Sequence, residues 1–414
     1  MRGRPATYAA LAAAAAVAAW GAARVEPQAV GPSSGTARAG ARPLLQPATG
    51  AGAGTNEVNP RWSPSGRYLS IERDDGTSRT VEIYEADAAT GGPRLVETLA
   101  LRPAGGGAGF LLEAGAQGAT YNAWLSWAAD EQRFAFVSNA GAGEYDLYLG
   151  TLGAPPAQVT RLTKDASADG QVAWSPAADR LAFVSGRTDR GDLYLLDLAT
   201  RGTRRLTADG RPVLHPEWSP DGRRIAFAQG DGDNHDVCVL EQLDATPRRR
   251  CLVSWPFDDL RPRWSPDGTR LAFYSSYNAD GDPGVWSLFV VAADGSDPMR
   301  GTGLIARRVD TGVVVDLDAG PAWTPDGRGL LYAKRVDREF NPLYHAQLET
   351  RAVRPLQTEH AIHHDVAVAR DGRVALRAQV ARWDRVLVGR LGDLLALAAP
   401  STAAATGRDQ ERAR

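Results

Sequence analysis

Histidine side chains are concentrated in one short segment of the sequence. Three of the six histidines, His360, His363 and His364, fall within five residues, and Asp365 follows them directly. Imidazole and carboxylate groups together suit zinc, manganese or nickel. We favour hydrogen-bonded or solvated histidines and no cofactor. A divalent-metal site in this segment is the alternative hypothesis.

A second set of candidate residues combines charged groups with aromatic rings. Its members lie in the variable segments that come before or between copies of a repeated motif. They are Trp124, His215, Trp255, Asp258, Asp259, Arg261, Arg263, Asp316 and Asp318. Mixed charge with aromatic side chains is typical of a surface that contacts another protein. The set therefore predicts a protein-binding face, and the alternative is a solvated rim of loops.

Motifs for covalent or phosphoryl chemistry are missing from the repeated part of the sequence. It has no glycine-rich phosphate loop and no zinc-type cysteine pattern, and no Gly-x-Ser-x-Gly turn follows the repeats. A catalytic triad is defined by geometry rather than by residue order, so an enzyme is not excluded. We assign no catalytic residue and favour a binding protein over an enzyme.

The candidate residues are distributed along a repeat of roughly 45 residues. Six copies carry an anchor tryptophan followed by a turn sequence related to Ser-Pro-Asp-Gly. The anchors are Trp62, Trp127, Trp174, Trp218, Trp264 and Trp323. A seventh copy, at residues 367–372, keeps Asp371-Gly372 but has no tryptophan. Proline, aspartate and glycine at these positions are typical of a tight turn.

Each turn is followed by short apolar runs with polar loops between them. One example is Arg180–Ser185 and then Asp192–Leu196, which alternate like half-buried strands. The pattern predicts four antiparallel strands per repeat, and such sheets bury both faces when they stack around an axis. We therefore predict an all-β fold, a β-propeller of four-stranded blades over residues 57–393. Seven blades are favoured and six are the alternative.

The last repeat has no clear fourth strand in the sequence. Its first three strands are predicted near residues 364–368, 374–379 and 385–391. A ring of sheets avoids a free edge when another part of the chain supplies the missing strand. We expect residues before Asn59 to supply it and close the ring.

The Trp-Ser-Pro-Asp-Gly turn followed by Ile/Leu-Ala-Phe resembles the repeat of TolB-like β-propellers. Arg263–Gly268 followed by Leu271–Phe273 is one copy. The resemblance covers about four fifths of the chain and implies the fold, whereas function varies between such propellers. TolB itself carries an α/β domain before its propeller, and here we expect only a linker there. Oligogalacturonate lyases, which share this repeat, use a histidine-bound metal, so the resemblance also implies a metal-dependent enzyme as an alternative.

The N-terminus resembles an export signal. Arg2 and Arg4 precede an alanine-rich apolar run, and small residues up to Ala23 suit cleavage. We predict a signal peptide at residues 1–23, a low-complexity linker at 24–56 and a flexible tail at 394–414. An uncleaved anchor is the alternative. The expected location is periplasmic or secreted, with no membrane span after cleavage.

The two cysteines, Cys238 and Cys251, flank a candidate hairpin. Centring that hairpin on residues 244–245 would place them opposite each other on antiparallel strands, which suits a disulfide. Export would place them in an oxidising compartment. We predict the disulfide, and two buried thiols are the alternative.

Charge and composition narrow the choice of partner. Lys+Arg total 47 and Asp+Glu total 49, so no global positive field would attract nucleic acid. The sequence as a whole predicts an exported, non-catalytic propeller that binds or scaffolds an envelope protein through its between-blade loops and channel mouth. The alternatives are a metal-dependent propeller lyase acting on a polysaccharide and a carbohydrate- or peptide-binding sensor.

Overall fold

The structure is a computed structural model, and its described part begins after the predicted signal peptide. The described residues are 45–49, 54–86, 93–101, 121–141, 144–153, 158–188, 190–231, 234–277, 285–296, 306–315, 320–336, 340–358, 360 and 362–396. The predicted signal peptide at 1–23 lies outside them, as do most of the predicted linker and tail. Those three assignments stay predictions.

Seven four-stranded antiparallel sheets make up the described part of the chain, as the repeat predicted. In blades 1 to 6 the strands follow one another in sequence from the innermost to the outermost. The innermost strands of successive blades contact each other and surround a central channel. The prediction of a seven-bladed all-β propeller is therefore confirmed.

The strands of the first three blades are short, mostly six or seven residues. Blade 1 contains β2 (Asn56–Trp62), β3 (Tyr68–Asp74), β4 (Arg79–Glu85) and β5 (Arg94–Leu99). Blade 2 contains β6 (Asn122–Trp127), β7 (Arg133–Ser138), β8 (Asp146–Thr151) and β9 (Gln158–Arg161). Blade 3 contains β10 (Asp169–Trp174), β11 (Arg180–Ser185), β12 (Asp192–Asp197) and β13 (Thr203–Arg205).

The next three blades follow the same order. Blade 4 contains β14 (Val213–Trp218), β15 (Ile225–Asp231), β16 (Asn234–Glu241) and β17 (Arg248–Cys251). Blade 5 contains β18 (Asp259–Trp264), β19 (Arg270–Ser275), β20 (Trp286–Ala292) and β21 (Ala306–Val313). Blade 6 contains β22 (Ala322–Trp323), β23 (Gly329–Ala333), β24 (Leu343–Gln347) and β25 (Ala352–Pro355).

The seventh blade takes its outermost strand from the beginning of the described chain. It contains β26 (His363–Val368), β27 (Arg373–Val380), β28 (Trp383–Arg390) and β1 (Gln46–Pro47). β1 pairs antiparallel with β28, so residues before Asn59 close the ring as expected. This strand lies inside the segment predicted as a linker, and a short helix, α1 (Leu391–Ala396), enters the segment predicted as a tail.

The anchor tryptophans hold neighbouring blades together. The indole N–H of Trp264 donates to the carbonyl of Glu217 in the preceding blade at 3.1 Å, and Trp62 makes the same bond to Ala367 across the ring closure. An arginine of the preceding blade stacks on the ring, as Arg224 does 4.5 Å from the centroid of Trp264. Each blade interface in the described residues has its own apolar cluster, so burial of the sheet faces is shared around the ring.

A disulfide joins β16 to β17 in blade 4. Cys238 and Cys251 are directly opposed in the register of these strands and are covalently linked. The bond ties the outermost strand of the blade to its neighbour. Within the described part of the chain, no helix has the length and apolar character needed to cross a membrane.

Candidate binding site at the channel mouth

The two faces of the propeller differ because chain direction alternates within each blade. All innermost strands begin at one face, which also holds the loops between second and third strands and the connections between blades. We call it the channel mouth, the face where β2, β6, β10, β14, β18, β22 and β26 begin. The opposite face carries the turns after the anchor tryptophans, and we call it the turn face. The described candidate residues of the second set lie on innermost strands that begin at this face or on the segment that leads into one of them.

Five innermost strands contain a β-bulge whose residue has a left-handed backbone. The residues occupy the same place, three before an anchor tryptophan, with φ between 50° and 57°: Asn59, Trp124, Gln171, His215 and Arg261. Residues other than glycine hold such a conformation at a cost of about 1–3 kcal/mol, and a bulky side chain there is a rare outlier. A bulge changes the direction in which nearby side chains point. The predicted Trp124, His215 and Arg261 have equivalent positions in their blades, because each is the bulge residue of its strand.

Side chains next to the bulges accept the backbone N–H groups of the following blade. The N–H of Trp124 donates to Glu72 Oε1 at 2.7 Å, and that of His215 donates to the side-chain oxygen of Gln171. The N–H of Trp264 lies 3.4 Å from Glu217 Oε1. These bonds run from blade to blade and hold the bulged strands in place.

A mostly apolar pocket opens beside Trp124. The ring centroids of Trp124 and Tyr145 are 6.4 Å apart. The indole of Trp124 lies over Gly170, and a Cβ added at Gly170 would be 3.5 Å from it. The apolar part of the lining comes from Trp124, Tyr145, Gly170, Val184, Pro212 and Leu214. Asp169 and Arg190 are the charged residues of the pocket. Such a pocket suits an apolar side chain or ring of a ligand.

Arginines of two other blades act on Glu217. Its Oε2 is 3.5 Å from the guanidinium of Arg263 in the next blade. Burial raises the pKa of Glu217, while Arg263, the N–H of Trp264 and the guanidinium of Arg61 favour its ionised form. Arg61 belongs to blade 1 and Glu217 to blade 4, so this electrostatic effect acts between blades that are not neighbours in the ring.

Arg263 also acts on His215. Burial lowers the pKa of His215 well below its usual value, and Arg261, His235 and Arg263 act in the same direction, so this imidazole is neutral at neutral pH. Its Nδ1 is shielded from solvent and has no hydrogen-bond partner among the described residues. The side chain of Arg263 lies against Gly320 of blade 6. A Cβ added at Gly320 would be 2.6 Å from Nε of Arg263.

Two aspartates at the start of blade 5 have different surroundings. The Asp258 carboxylate lies 2.8 Å from His235 Nδ1, near the surface. Asp259 is fully buried. Burial raises the pKa of Asp259 to about 8, a hydrogen bond with Ser275 opposes the rise, and the nearby Asp236 and Asp258 add to it. Asp259 is therefore neutral over most of the physiological range.

Trp255 packs beneath the channel mouth. Its ring meets Phe289 edge to face at 5.1 Å between centroids and also contacts Phe273, so it covers the core between blades 4 and 5. It therefore offers less free aromatic surface to a partner than the sequence pattern suggests. Asp316 and Asp318 lie outside the described residues.

The histidine segment is split between separate environments. The His363 Nδ1 donates to the carbonyl of Asn341 at 2.8 Å and Nε2 is 2.9 Å from the Thr358 hydroxyl, so both ring nitrogens are engaged. Burial lowers the pKa of His363 to about 4. His364 Nε2 instead lies 3.5 Å from Asp384 of β28.

Two other members of that segment have different surroundings. The backbone carbonyl of His360 accepts the Thr358 hydroxyl at 3.0 Å, and Asp365 is buried within β26. In the part of the chain that the structure describes, no group of three or more His, Cys, Asp or Glu side chains is arranged to hold a metal. The metal site therefore gains no support from the geometry.

Several residues of the site were not among the sequence candidates, and three of them show where a signal lay. Arg61 and Glu217 each come directly before an anchor tryptophan, and Gln171 comes three residues before one. Aligning the repeats on their tryptophans places these residues in two columns that face the channel. Charge in the column just before the tryptophan was the signal that could have found Arg61 and Glu217.

The fold and site define a seven-bladed propeller with a polar, strained channel mouth. The sequence pattern of the family described as TolB beta propeller domain matches residues 116–300 and 206–380. This match covers more than half of the chain, and the protein belongs to the TolB β-propeller domain family. No curated protein sequence matches the chain significantly.

Several solved structures are similar to this chain at low sequence identity. A puromycin-hydrolyzing peptidase from Mycobacterium tuberculosis has a TM-score of 0.58 and 16% identity, over 84% of this chain and 54% of the peptidase. Oligogalacturonate lyase from Vibrio parahaemolyticus has a TM-score of 0.56 and 12% identity, over 81% and 89%. TolB from Acinetobacter baumannii has a TM-score of 0.49 and 17% identity, over 76% of this chain and 66% of TolB. The peptidase and the lyase differ in activity, so their similarity to this chain supports the fold alone.

Proposed function

We propose that this protein is an exported, non-catalytic propeller that binds a protein partner of the cell envelope through its channel mouth and between-blade loops. The observation that carries the proposal is the set of five bulged strands with left-handed, side-chain-bearing residues. Backbone strain of this kind concentrates at binding and catalytic sites. Glycine would adopt the same left-handed conformation at each position without this backbone strain. We therefore attribute the strained residues to a role of their side chains.

The partner-binding role can be tested with a matched pair of arginine variants. Arg261 at the channel mouth and Arg201 in the β12–β13 turn both have left-handed backbones, with φ of 57° and 61°. Arg261→Gly and Arg201→Gly make the same chemical change on opposite faces and leave both backbones unstrained. Affinity purification from envelope fractions should lose partners with Arg261→Gly and keep them with Arg201→Gly. Equal recovery with both variants would contradict the proposal.

Export is a separate part of the proposal and needs its own test. It rests on the N-terminal residues 1–23, which lie outside the described part of the chain. Cell fractionation should place the protein in the periplasm or medium, and its N-terminal sequence should start at Arg24. A protein that keeps Met1 and stays in the cytoplasm would refute export.

A metal-dependent lyase acting on a polysaccharide is the competing function. It is suggested by the likeness of the fold to oligogalacturonate lyase. In this chain the His363 ring nitrogens both have protein partners, so the histidine segment would have to rearrange before binding a metal there. Metal analysis of the purified protein, with oligogalacturonate cleavage assayed beside it, separates the two functions.

A further inference from the structure

The pocket beside Trp124 lies where blades 2, 3 and 4 meet at the channel mouth. Its lining includes the first residues of β10 and β14, the loop between β11 and β12, and Tyr145, which directly precedes β8. Backbone hydrogen bonds join these segments. The N–H of Asp169 donates to the carbonyl of Tyr145 at 2.8 Å, and that of Val213 donates to the carbonyl of Gly191 at 2.9 Å. The lining is therefore held in place before a ligand binds, which lowers the entropic cost of binding.

The size of the pocket favours a small aliphatic group. Its volume is about 40 Å³. A group of the size of a water molecule needs about 10–15 Å³ of such volume, so about three of these groups fit. The branched end of a leucine side chain has this size, whereas a sugar ring is larger. Val184, Pro212 and Leu214 supply aliphatic surface for the contact, so burial of a leucine side chain there is favourable.

Arg190 is the charged group of the pocket that is open to a ligand. Asp169 is buried and already paired, because its Oδ2 accepts from the guanidinium of Arg187 at 3.2 Å. The side-chain oxygen of Gln171 accepts the N–H of His215. Arg190 is exposed, and its guanidinium has no ion pair or hydrogen bond with any residue in the described part of the chain. The charge that complements the pocket is therefore negative.

We propose that the pocket beside Trp124 binds the C-terminal residue of a protein partner, with an aliphatic side chain such as leucine in the pocket and the terminal carboxylate at Arg190. A guanidinium can bind a carboxylate through two parallel N–H···O bonds. Capture of a C-terminal carboxylate is also a recurrent way in which proteins recognise peptides. This proposal rests on the proposed partner-binding function and names the part of the partner that is bound.

A chain end fits this small pocket better than an internal acidic residue does. In a C-terminal residue the side chain and the carboxylate share one Cα, so a single residue supplies both groups. An aspartate or glutamate beside an internal leucine carries its carboxylate on additional rotatable bonds, and fixing them costs conformational entropy. We therefore expect the site to prefer a free chain end.

The test measures binding of fluorescein-labelled peptides to the purified protein by fluorescence anisotropy at low salt. The probe is a short glycine-serine peptide that ends in leucine with a free carboxylate. Matched peptides carry a C-terminal amide, a C-terminal glycine, or an internal leucine-aspartate pair with an amidated end. We expect the amide to bind at least about fivefold more weakly than the probe, the factor that one exposed ion pair corresponds to. The glycine peptide should bind at least about tenfold more weakly, because it buries no leucine side chain.

Two arginine variants locate the carboxylate contact. Arg190→Gln should bind the free acid and the amide equally. The matched control is Arg223→Gln, which changes an exposed arginine in the turn after Trp218 on the turn face and should keep the preference for the free acid. Trp124→Gly should weaken binding of both peptides by a similar factor, since glycine accepts the φ of 54° but supplies no ring. Thermal unfolding of each variant shows that it is folded.

Equal binding of the free acid and the amide by the parent protein would overturn the proposal, as would an unchanged preference in folded Arg190→Gln. Binding of the internal leucine-aspartate peptide as tightly as the probe would assign the site to an acidic side chain instead of a chain end. Binding of trigalacturonate but of none of the peptides would assign it to a polysaccharide. If Arg261→Gly loses envelope partners while no peptide binds, the partner-binding function stands and the chain-end inference fails.

Discussion

Acidic residues at the two faces of the propeller have pKa values shifted in opposite directions. At the turn face, hydrogen bonds outweigh burial and lower the pKa of Asp221 and Asp267, as Ser265 Oγ does by donating to Asp267 at 2.5 Å. At the channel mouth, burial dominates and raises the pKa of Asp169 to about 6 and that of Asp259 to about 8. The turns satisfy their polar groups locally, whereas the mouth keeps polar groups in costly surroundings.

The contrast separates the parts of the repeat that build the fold from those that differ between blades. The turn-face contacts recur in blade after blade, because Ser219, Ser265 and Thr324 all donate to an aspartate two residues later. At the mouth, the bulge position holds Asn59, Trp124, Gln171, His215 or Arg261. Variation on a rigid frame is typical of binding surfaces.

The largest effect is expected from removing an anchor tryptophan. Trp264→Ala would empty the interface between blades 4 and 5 and remove the indole bond to the Glu217 carbonyl. Large-to-small changes of buried aromatic residues cost about 3–5 kcal/mol. Urea unfolding should show that loss. A loss below about 1 kcal/mol would show that the anchors do not hold the blades together.

The second-largest effect is expected from a buried acid at the channel mouth, which makes the free energy of unfolding depend on pH. The folded pKa of Asp259 is about 8, above its ordinary value of 3.8, so the folded protein holds a proton that the unfolded chain releases. The stability from this group is present at low pH and is lost as pH rises toward 8. Asp259→Asn removes that dependence.

We expect the advantage of Asp259→Asn over the parent protein to grow by roughly 2–4 kcal/mol between about pH 5 and about pH 8, from a slope of about 1.4 kcal/mol per pH unit. Urea unfolding across that range measures it. A constant difference between the two proteins would show that Asp259 is ionised in the folded state.

A turn-face acid should behave with the opposite sign. The pKa of Asp267 is lowered, because hydrogen bonds from Ser265 and Thr269 outweigh its partial burial. Its contribution is present at neutral pH and is lost as pH falls through the lowered pKa. Asp267→Asn should therefore cost about 1 kcal/mol at neutral pH, the low end for hydrogen bonds to a charged group because the side chain is half exposed. The cost should shrink in acid, and a cost independent of pH would contradict the assignment.

The smallest stability effects are expected from relieving backbone strain. Arg261→Gly and Arg201→Gly should each change the free energy of unfolding by less than about 1 kcal/mol, because glycine adopts positive φ without a steric penalty but loses more chain entropy. The two variants should therefore be similar in stability by urea unfolding and differ in partner recovery. A large stability loss in Arg261→Gly alone would assign this arginine to the frame instead.

Much of the frame could be read from the repeat. The anchor tryptophans and Asp-Gly turns predicted seven four-stranded blades, and the missing strand of the last repeat predicted closure by upstream residues, as β1 shows. These features are local or depend on one long-range pairing, so a periodic pattern reports them.

The site was less accessible to sequence reasoning. Neighbours in sequence, such as His363 and His364, turn to different partners because successive strand residues face opposite sides. Trp255 was predicted on the binding face, and its partly buried ring packs against Phe289. Spacing alone does not tell whether an aromatic ring faces a partner or its own blade.

The sequence by itself determined the repeated sheet, its turns and the opposed positions of Cys238 and Cys251, because each depends on short-range pattern and strand pairing. Only the tertiary structure decided which polar residues share the channel. Arg61 belongs to blade 1 and Glu217 to blade 4. Closure of the ring is what allows the charge of Arg61 to act on Glu217. The strain at the bulges was decided there too, since a left-handed Trp124 persists only where neighbouring blades hold it.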